Sequence, residues 1–259
     1  MKSKSRLFYK LLLVILLFVA GFIIAAIVFP TLNLLCSANA ARNHRDALKK
    51  QWICWFSSIL KLEITREGNV PLHSSLVVSN HISWVDIIVI GQYLPAYFVA
   101  KSDILAWPLL GFLSRQAGAI FIRRGDKKHI METAEKMVWL LKQNRNLIAF
   151  PEGTTTVGNH VLNFHASLFQ PALLTKTAIQ PVAIEYLGDA QHLAPFIGDD
   201  AFVPHLIKML GLEKIEVRLS FLPTVNASGK NRHAVSHEAR DLILGQISND
   251  ALYKQHHSA

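Results

Sequence analysis

The sequence predicts an α/β fold, a mostly parallel sheet flanked by helices, preceded by an N-terminal membrane-anchoring helical segment. Three observations carry this. From residue 64 onward, short apolar runs alternate with stretches of helical periodicity, the pattern of strand–helix units that builds parallel sheets. Several of those runs break abruptly into polar turns, as strands do where a helix follows. Ahead of them, residues 11–29 form nineteen positions without a charge or a strongly polar side chain.

That first run meets the length of roughly 20 residues needed to span a membrane. A cleaved signal peptide is the rival, because Ala38-Asn39-Ala40 resembles a small-residue cleavage site behind a basic start. The run exceeds the usual signal-peptide core of about 7–15 residues, which favours a retained anchor. Lys2, Lys4, Arg6 and Lys10 precede it while Arg42, Arg45, Lys49 and Lys50 follow, so the positive-inside rule is close to a tie. A segment that enters and returns on one side, or lies in one leaflet, satisfies both clusters. Residues 43–62 read as an amphipathic helix, with Leu48, Trp52, Trp55, Phe56, Ile59 and Leu60 largely on one side and Lys49, Lys50 and Lys61 bordering them. Such a face suits either the bilayer interface or the surface of a globular domain.

Candidate strands follow at Leu76–Ser79, Tyr97–Ala100, Ala119–Ile122, Leu147–Phe150, Gln180–Tyr186 and Ile215–Phe221. The clearest helix spans about 127–143, with Ile130, Ala134, Met137, Val138 and Leu141 on one face and Asp126 available as its cap. The chain thus divides into an anchor with its interfacial helix (1–62), one globular domain (63–253) and a tail (254–259) expected to be disordered.

The length of 259 residues suits one α/β domain, or a domain plus an appendage, and 51% hydrophobic residues with a mean hydropathy of +0.28 is high for a purely soluble enzyme. A formal net charge of +9 favours anionic partners: nucleic acid, an anionic membrane surface or a phosphate-bearing substrate. No zinc-finger or aromatic RNA-binding signature singles out nucleic acid, and the apolar run points to membrane lipids instead. Cys36 and Cys54 each lie on or beside an apolar stretch, where burial accounts for them. Leu35 makes a lipoprotein cleavage site at Cys36 a poor match, and neither cysteine has metal-ligand spacing.

The chemistry starts in Ser75–Ile90. The apolar Leu76–Val78 breaks into Ser79-Asn80-His81, and the chain turns apolar again from Val85 with Asp86 embedded in it. The carboxyl end of a strand is where open α/β sheets place their chemistry. On a regular helix His81 and Asp86 would sit about 140° apart, so they meet only if His81 lies in the turn before the helix and folds back. A buried carboxylate accepting from one ring nitrogen would then fix the tautomer and leave the other nitrogen as a base. The ordinary alternative is a capping histidine and an exposed aspartate, and for an isolated His-x4-Asp spacing it is the better one.

Two further turns change that balance. Asn146–Gly158 is again strand then turn: Pro151 stops the strand, Glu152 is a charge at its end, Gly153 permits unusual backbone geometry, and Thr154–Thr156 supply hydroxyls and amides for an anion. Gly118–Gly125 ends a strand in Arg123 and Arg124, two guanidiniums suited to phosphate. Each has an ordinary alternative, a polar βα turn and a solvated basic turn.

Together these stretches resemble the glycerolipid acyltransferase family, which includes the 1-acylglycerol-3-phosphate acyltransferases. The resemblance lies in Asn80-His81-x4-Asp86, Gly118-x-Ile-Phe-Ile-x-Arg124 and Phe150-Pro151-Glu152-Gly153-Thr154, with Ile179-Gln-Pro-Val182 as a weaker fourth element. It implies a glycerol-3-phosphate acyltransferase-like fold and catalysis by His81 and Asp86. His81 would act as general base on a lysolipid hydroxyl, oriented by Asp86, and the oxygen would attack the thioester of acyl-CoA or acyl carrier protein. Backbone amides near the His81 turn would steady the oxyanion. Arg124 would hold an anionic head group, while Glu152, Gly153 and Thr154 shape the acceptor site; Lys101, Gly118 and Arg123 are further substrate-side candidates, and Ser83 and Trp84 are structural. The resemblance implies no metal or cofactor beyond the acyl donor as co-substrate, no nucleic-acid partner, and a bacterial inner-membrane location on the cytoplasmic face.

Phosphatidate-forming members commonly carry arginine after Phe-Pro-Glu-Gly-Thr, and here that position is Thr155. An arginine fork binds a phosphomonoester bidentately and threonine offers one hydroxyl. The run from Phe150 to Phe169 is also similar to bacterial acyltransferases that O-acylate lyso-ornithine lipid and to eukaryotic lysophospholipid acyltransferases. A 1-acylglycerol-3-phosphate acceptor and a lyso-ornithine or other lysolipid acceptor both stay open, and a non-catalytic lipid-binding membrane protein is the remote alternative.

Overall fold

The computed structural model describes residues 2–123 and 127–257. Helix α1 (Lys2–Ile23) runs through one π-helical turn (Ile24–Val28) into α2 (Phe29–Leu35), making a single apolar rod. At Ser37 the chain reverses into α3 (Ala38–Leu60), whose first turn is capped when the Ser37 hydroxyl accepts from the Ala40 amide. Phe18 meets Trp52 and Phe56 edge-on, and the Trp52 indole N–H donates to the Leu17 carbonyl at 2.9 Å. A Cβ on Gly21 would come within 2.8 Å of that indole nitrogen, so glycine is what lets the two helices approach.

The hairpin lies along the globular domain and does not project from it. At one end Arg6 and Lys10 donate to the carbonyls of Gly211 and Leu212. Toward the other, Arg45 donates to Gln116 O and Lys49 to Ala117 O, while Asp46 pairs with both Lys49 and Arg145. Burial lowers the Lys49 pKa and the Asp46 charge opposes that; the ammonium also sits 4.0 Å from the centre of the Tyr97 ring. Of the six apolar residues predicted to share a face of this helix, Trp55 is the exposed one, and Phe56 and Leu60 face the core. The segment Lys4–Leu35 is long and apolar enough to cross a membrane, and 22% of its most apolar window is buried against protein.

The domain is built on seven strands: β1 (Leu62–Glu67), β2 (Ser75–Ser79), β3 (Ala96–Lys101), β4 (Ile120–Ile122), β5 (Asn146–Ala149), β6 (Ala178–Leu187) and β7 (Ile215–Phe221). Their spatial order is β1-β7-β6-β2-β5-β3-β4. The run from β6 to β4 is parallel; β7 lies antiparallel to β6, and β1 follows β7 in parallel, so the sheet is mixed at that edge. All six predicted strands form, to within two residues at their ends. β1 was not anticipated, because Leu62-Glu-Ile-Thr-Arg-Glu67 carries only two apolar side chains and borders the sheet with its outer face in water.

Alternate residues of β2 feed the two faces of the sheet. Val77 joins the core beneath α1, α3, α4 (Val85–Gly91) and α9 (Phe202–Gly211), and Leu76 and Val78 join the one beneath α6 (Lys127–Lys142), α7 (Gln170–Thr175) and α10 (Arg232–His257). The predicted helix over 127–143 is α6, with Met137 and Leu141 buried; its expected cap, Asp126, lies outside the described residues. α5 (Pro108–Gln116) precedes β4, and α8 (Ala190–Leu193) follows β6. α10 continues through residues 254–257 of the stretch set apart as a tail.

Candidate active site

The turn between β2 and α4 is held by side chains standing in for missing ladder bonds. Where β2 ends, the Asn80 carboxamide extends its pairing with β6, donating to Ile184 O and accepting from Ile184 N, both at 2.9 Å. His81 then leaves the strand. Its N–H donates to Glu152 Oε1 at 2.8 Å and its carbonyl accepts from Thr156 N at 2.8 Å. The ring folds back over the first turn of α4, with Nδ1 2.8 Å from Asp86 Oδ2. The predicted pair is therefore formed, and by the route the helix geometry required.

Asp86 is fully buried, and its Oδ2 also accepts from the Ile82 and Ser83 amides at 2.8 and 2.9 Å. Its other oxygen, Oδ1, accepts from the Tyr186 hydroxyl at 2.7 Å. With Oδ2 accepting from Nδ1–H, this bonding assigns the other ring nitrogen, Nε2, as the proton acceptor. The imidazole stacks on Phe150 at 4.0 Å between centroids and 14° between planes, and its side chain is 20% exposed, so it is fixed yet reachable. The amides of residues 81–83 are all committed to carboxylates, so the oxyanion donors expected near this turn are not among them.

Glu152 sits at the equivalent place after β5. It is 4% exposed, and its two oxygens accept from the His81 and Leu162 amides, each at 2.8 Å. Burial raises its pKa, while the two N–H bonds and the nearby charges of His81 and His160 oppose that rise. Its geometry braces the His81 backbone and does not reach outward. Gly153 follows in the left-handed region at φ +69°, and Thr154 is exposed at the surface of the turn. The Thr155 hydroxyl donates to the Phe196 carbonyl, so it is engaged within the protein.

Lys101, the last residue of β3, and Arg123, the first after β4, are both exposed. Since β2, β5, β3 and β4 are adjacent and parallel, these side chains stand on the same carboxyl edge as His81. At about 4.8 Å per strand they begin roughly 10 and 14 Å from the His81 strand, a gap that long side chains and a head group can share. Arg124 lies outside the described residues. Gly118 is away from this edge; it has φ +85°, and a Cβ there would come within 2.8 Å of the Tyr97 ring, so its role is to let α5 turn into β4.

A third loop, absent from the sequence reading, closes the site. The Phe196 amide donates to Ile82 O at 2.9 Å. The Trp84 indole donates to His205 Nδ1 at 3.0 Å, and His205 Nε2 donates to Pro195 O at 3.2 Å. Burial holds the His205 pKa below its usual value, which suits this neutral donor–acceptor role. Trp84 also packs between Phe56 and Phe202, in keeping with a structural part. Nothing in Ala194–Asp200 has the composition of a motif; its hydrogen bonds to Ile82, Thr155 and His205 are made by backbone atoms, which sequence does not display.

Three comparisons bear on this arrangement. The family model Acyltransferase matches residues 61–185, the span that holds both carboxylates and His81. A lyso-ornithine lipid O-acyltransferase from Pseudomonas aeruginosa is 38% identical over 205 residues, covering 77% of this chain and 78% of that one. A 1-acyl-sn-glycerol-3-phosphate acyltransferase from Neisseria meningitidis is 28% identical over 193 residues, covering 73% and 76%. Among solved structures, the 1-acyl-sn-glycerophosphate (LPA) acyltransferase PlsC from Thermotoga maritima superposes with a TM-score of 0.66 at 21% identity, covering 94% of this chain and 97% of its own, a likeness of fold.

Proposed function

Because the chain belongs to the acyltransferase family, we propose that it moves a fatty acyl group from a thioester, acyl-CoA or acyl carrier protein, to the hydroxyl of a lysolipid. The observation that carries this reading is the 2.8 Å contact between His81 Nδ1 and a buried Asp86, which leaves Nε2 as a base at the carboxyl edge of the sheet. Nε2 takes the proton of the acceptor hydroxyl as that oxygen attacks the thioester carbonyl carbon. The tetrahedral intermediate collapses with cleavage of the C–S bond, and the departing sulfur takes the proton from the imidazolium. A thiolate leaves readily, so no acyl-enzyme is needed. Asp86 orients the ring and favours its protonated form as the oxygen attacks.

The acceptor we favour is a lyso-ornithine lipid. Identity to the Pseudomonas aeruginosa enzyme of that name is 38% against 28% for the Neisseria meningitidis enzyme named for 1-acylglycerol-3-phosphate. Thr155, in the place of the arginine common in phosphatidate-forming members, spends its hydroxyl on Phe196. Lys101, Arg123 and Arg124 then remain to meet a carboxylate or phosphate, with Thr154 at the acceptor side. The second reading, a 1-acylglycerol-3-phosphate acceptor, draws on the Neisseria relative's similar coverage.

The proposed location is the membrane surface, on the cytoplasmic face. The rod from α1 to α2 is about 50 Å long at 1.5 Å per residue, well beyond a hydrocarbon core of about 30 Å. α3, which carries Arg42, Arg45, Asp46, Lys49 and Lys50, runs beside it. The outward residues of the rod, among them Phe8, Ile15, Leu16, Val19 and Ile27, are exposed. These features favour an apolar face laid in one leaflet over a helix surrounded by lipid. Purified protein in lipid vesicles, offered acyl-CoA or acyl carrier protein with lyso-ornithine lipid and 1-acylglycerol-3-phosphate in turn, tests the function. Transfer to lyso-ornithine lipid is expected; transfer to neither acceptor from either donor would overturn the proposal.

A further inference from the structure

Asp86 receives three of its hydrogen bonds from its own turn, from His81, Ile82 and Ser83, all on Oδ2. The fourth comes from another element. Tyr186, on β6 and 4% exposed, reaches across the core and donates to Oδ1 at 2.7 Å. β6 is itself fixed to this turn two residues earlier, where Asn80 brackets both backbone atoms of Ile184. We infer that Tyr186 is a positioning residue of the proposed reaction, holding the Asp86 carboxylate against rotation and sharing its charge. The inference rests on His81 acting as the general base.

Two properties of the buried hydroxyl and its carboxylate support this role. A buried hydroxyl is costly unless it is bonded, and phenylalanine would fill the same space without that cost. The hydroxyl at 186 therefore makes sense through what it bonds, and its partner is the carboxylate that orients His81. Second, a carboxylate's charge is divided among its donors. A donor on Oδ1 draws charge from Oδ2 and so weakens the hold of Asp86 on the imidazole proton. Burial, with the Asp86 charge adding to it, raises the Tyr186 pKa well above the ordinary value, so the hydroxyl keeps its proton and remains a donor. Around this pair, the Ser83 side chain opposes the rise of the Tyr186 pKa, while Glu152, from the turn after β5, meets the His81 backbone amide, with the His160 charge near it.

The test compares pH profiles of kcat/KM for acyl transfer. In Tyr186→Phe, three donors share the Asp86 charge instead of four, and His81 is held more strongly in its protonated form. We expect kcat/KM to fall by roughly tenfold and the midpoint of the acid limb to move upward by about half a unit. The second variant carries 3-fluorotyrosine at position 186, introduced site-specifically. It keeps the ring and the bond but is a stronger donor, so the acid limb should move downward. An acid limb that stays in place in the fluorotyrosine protein overturns the inference, whether or not Tyr186→Phe folds. His81→Ala separates the two ideas: if it abolishes turnover while position 186 leaves the limb unmoved, Tyr186 alone is wrong. If His81→Ala keeps full activity, the general-base reading fails and Tyr186 loses its role with it.

Discussion

Two regions end parallel strands on the same edge of the sheet, and they are built in opposite ways. At the β2 and β5 ends, His81 uses its N–H, its carbonyl and Nδ1, while Asp86 and Glu152 are 4% exposed or less with every oxygen accepting. At the β3 and β4 ends, Lys101 and Arg123 are exposed at the tips of long side chains. Proton abstraction needs a nitrogen held to within a fraction of an ångström, and over-determined bonding provides that. Holding a head group tolerates movement, and mobile cations suffice. Damage to the first region should therefore appear in kcat, and damage to the second in the acceptor KM.

The largest effect is expected at His81, the proposed base. His81→Ala should lower kcat by roughly a thousandfold to ten-thousandfold with the acceptor KM nearly unchanged. Asp86→Asn should cost less, about a hundredfold, because His81 remains but its tautomer and orientation are no longer imposed. Steady-state acylation of the preferred lysolipid measures both. A KM effect without a kcat effect in either variant would break the contrast between the two regions.

Glu152 tests whether the brace matters as much as the base. In Glu152→Gln one of the two amides, from His81 or Leu162, faces an NH2 group and loses its acceptor. That should cost about 1–3 kcal/mol of stability and roughly tenfold in kcat. The pH dependence of stability has a definite sign. Burial raises the Glu152 pKa above the ordinary 4.5, and for an acid raised by folding the stabilisation is full below the ordinary value and is lost as pH rises through the raised one. Wild-type stability should thus decline relative to the non-titrating Gln variant as pH rises through that window. Denaturant unfolding of the two proteins at a series of pH values reads the difference, and a rising difference would mean that the two amide bonds outweigh burial.

Much of the braced region was legible in sequence, but unevenly. His81, Asp86 and Glu152 stood out because a polar residue at the end of an apolar run breaks the local pattern, and the six strands from β2 to β7 were marked by the same apolar runs. Tyr186 was invisible for the converse reason: an aromatic residue inside the apolar β6 strand fits its surroundings, and only the tertiary fold aims its hydroxyl at Asp86. Phe196 contributes through backbone atoms, which carry no sequence signature. β1 was missed because a half-exposed border strand carries few apolar residues. Glu152 was assigned to the acceptor site from its motif, whereas its direction, inward onto two amides, is a property of the folded turn.

The exposed region should yield smaller numbers. Lys101→Ala and Arg123→Ala should each raise the acceptor KM by about two- to fivefold with kcat held, the range of a solvent-exposed charge contact, and Arg124→Ala should act in the same direction. Raising ionic strength should mimic the Lys101 and Arg123 variants, because contacts at exposed charges are screened. Initial rates over a range of lysolipid concentrations, at low and high salt, distinguish this from an indirect loss of fold, which would lower kcat as well.

Thr155 decides where the boundary between the two regions falls. The family resemblance places a head-group arginine at this position, but the bond to Phe196 assigns it to the braced side. Thr155→Val keeps the shape and removes that bond, which should cost about 1 kcal/mol of stability and change kcat/KM by no more than about twofold. The preference between lyso-ornithine lipid and 1-acylglycerol-3-phosphate should not move. If that preference shifts in Thr155→Val while stability holds, the hydroxyl reads the head group, and the exposed region extends to within four residues of Pro151. If stability falls and preference holds, head-group selection rests with the cations at the β3 and β4 ends, some 10 to 14 Å from the His81 strand at about 4.8 Å per strand.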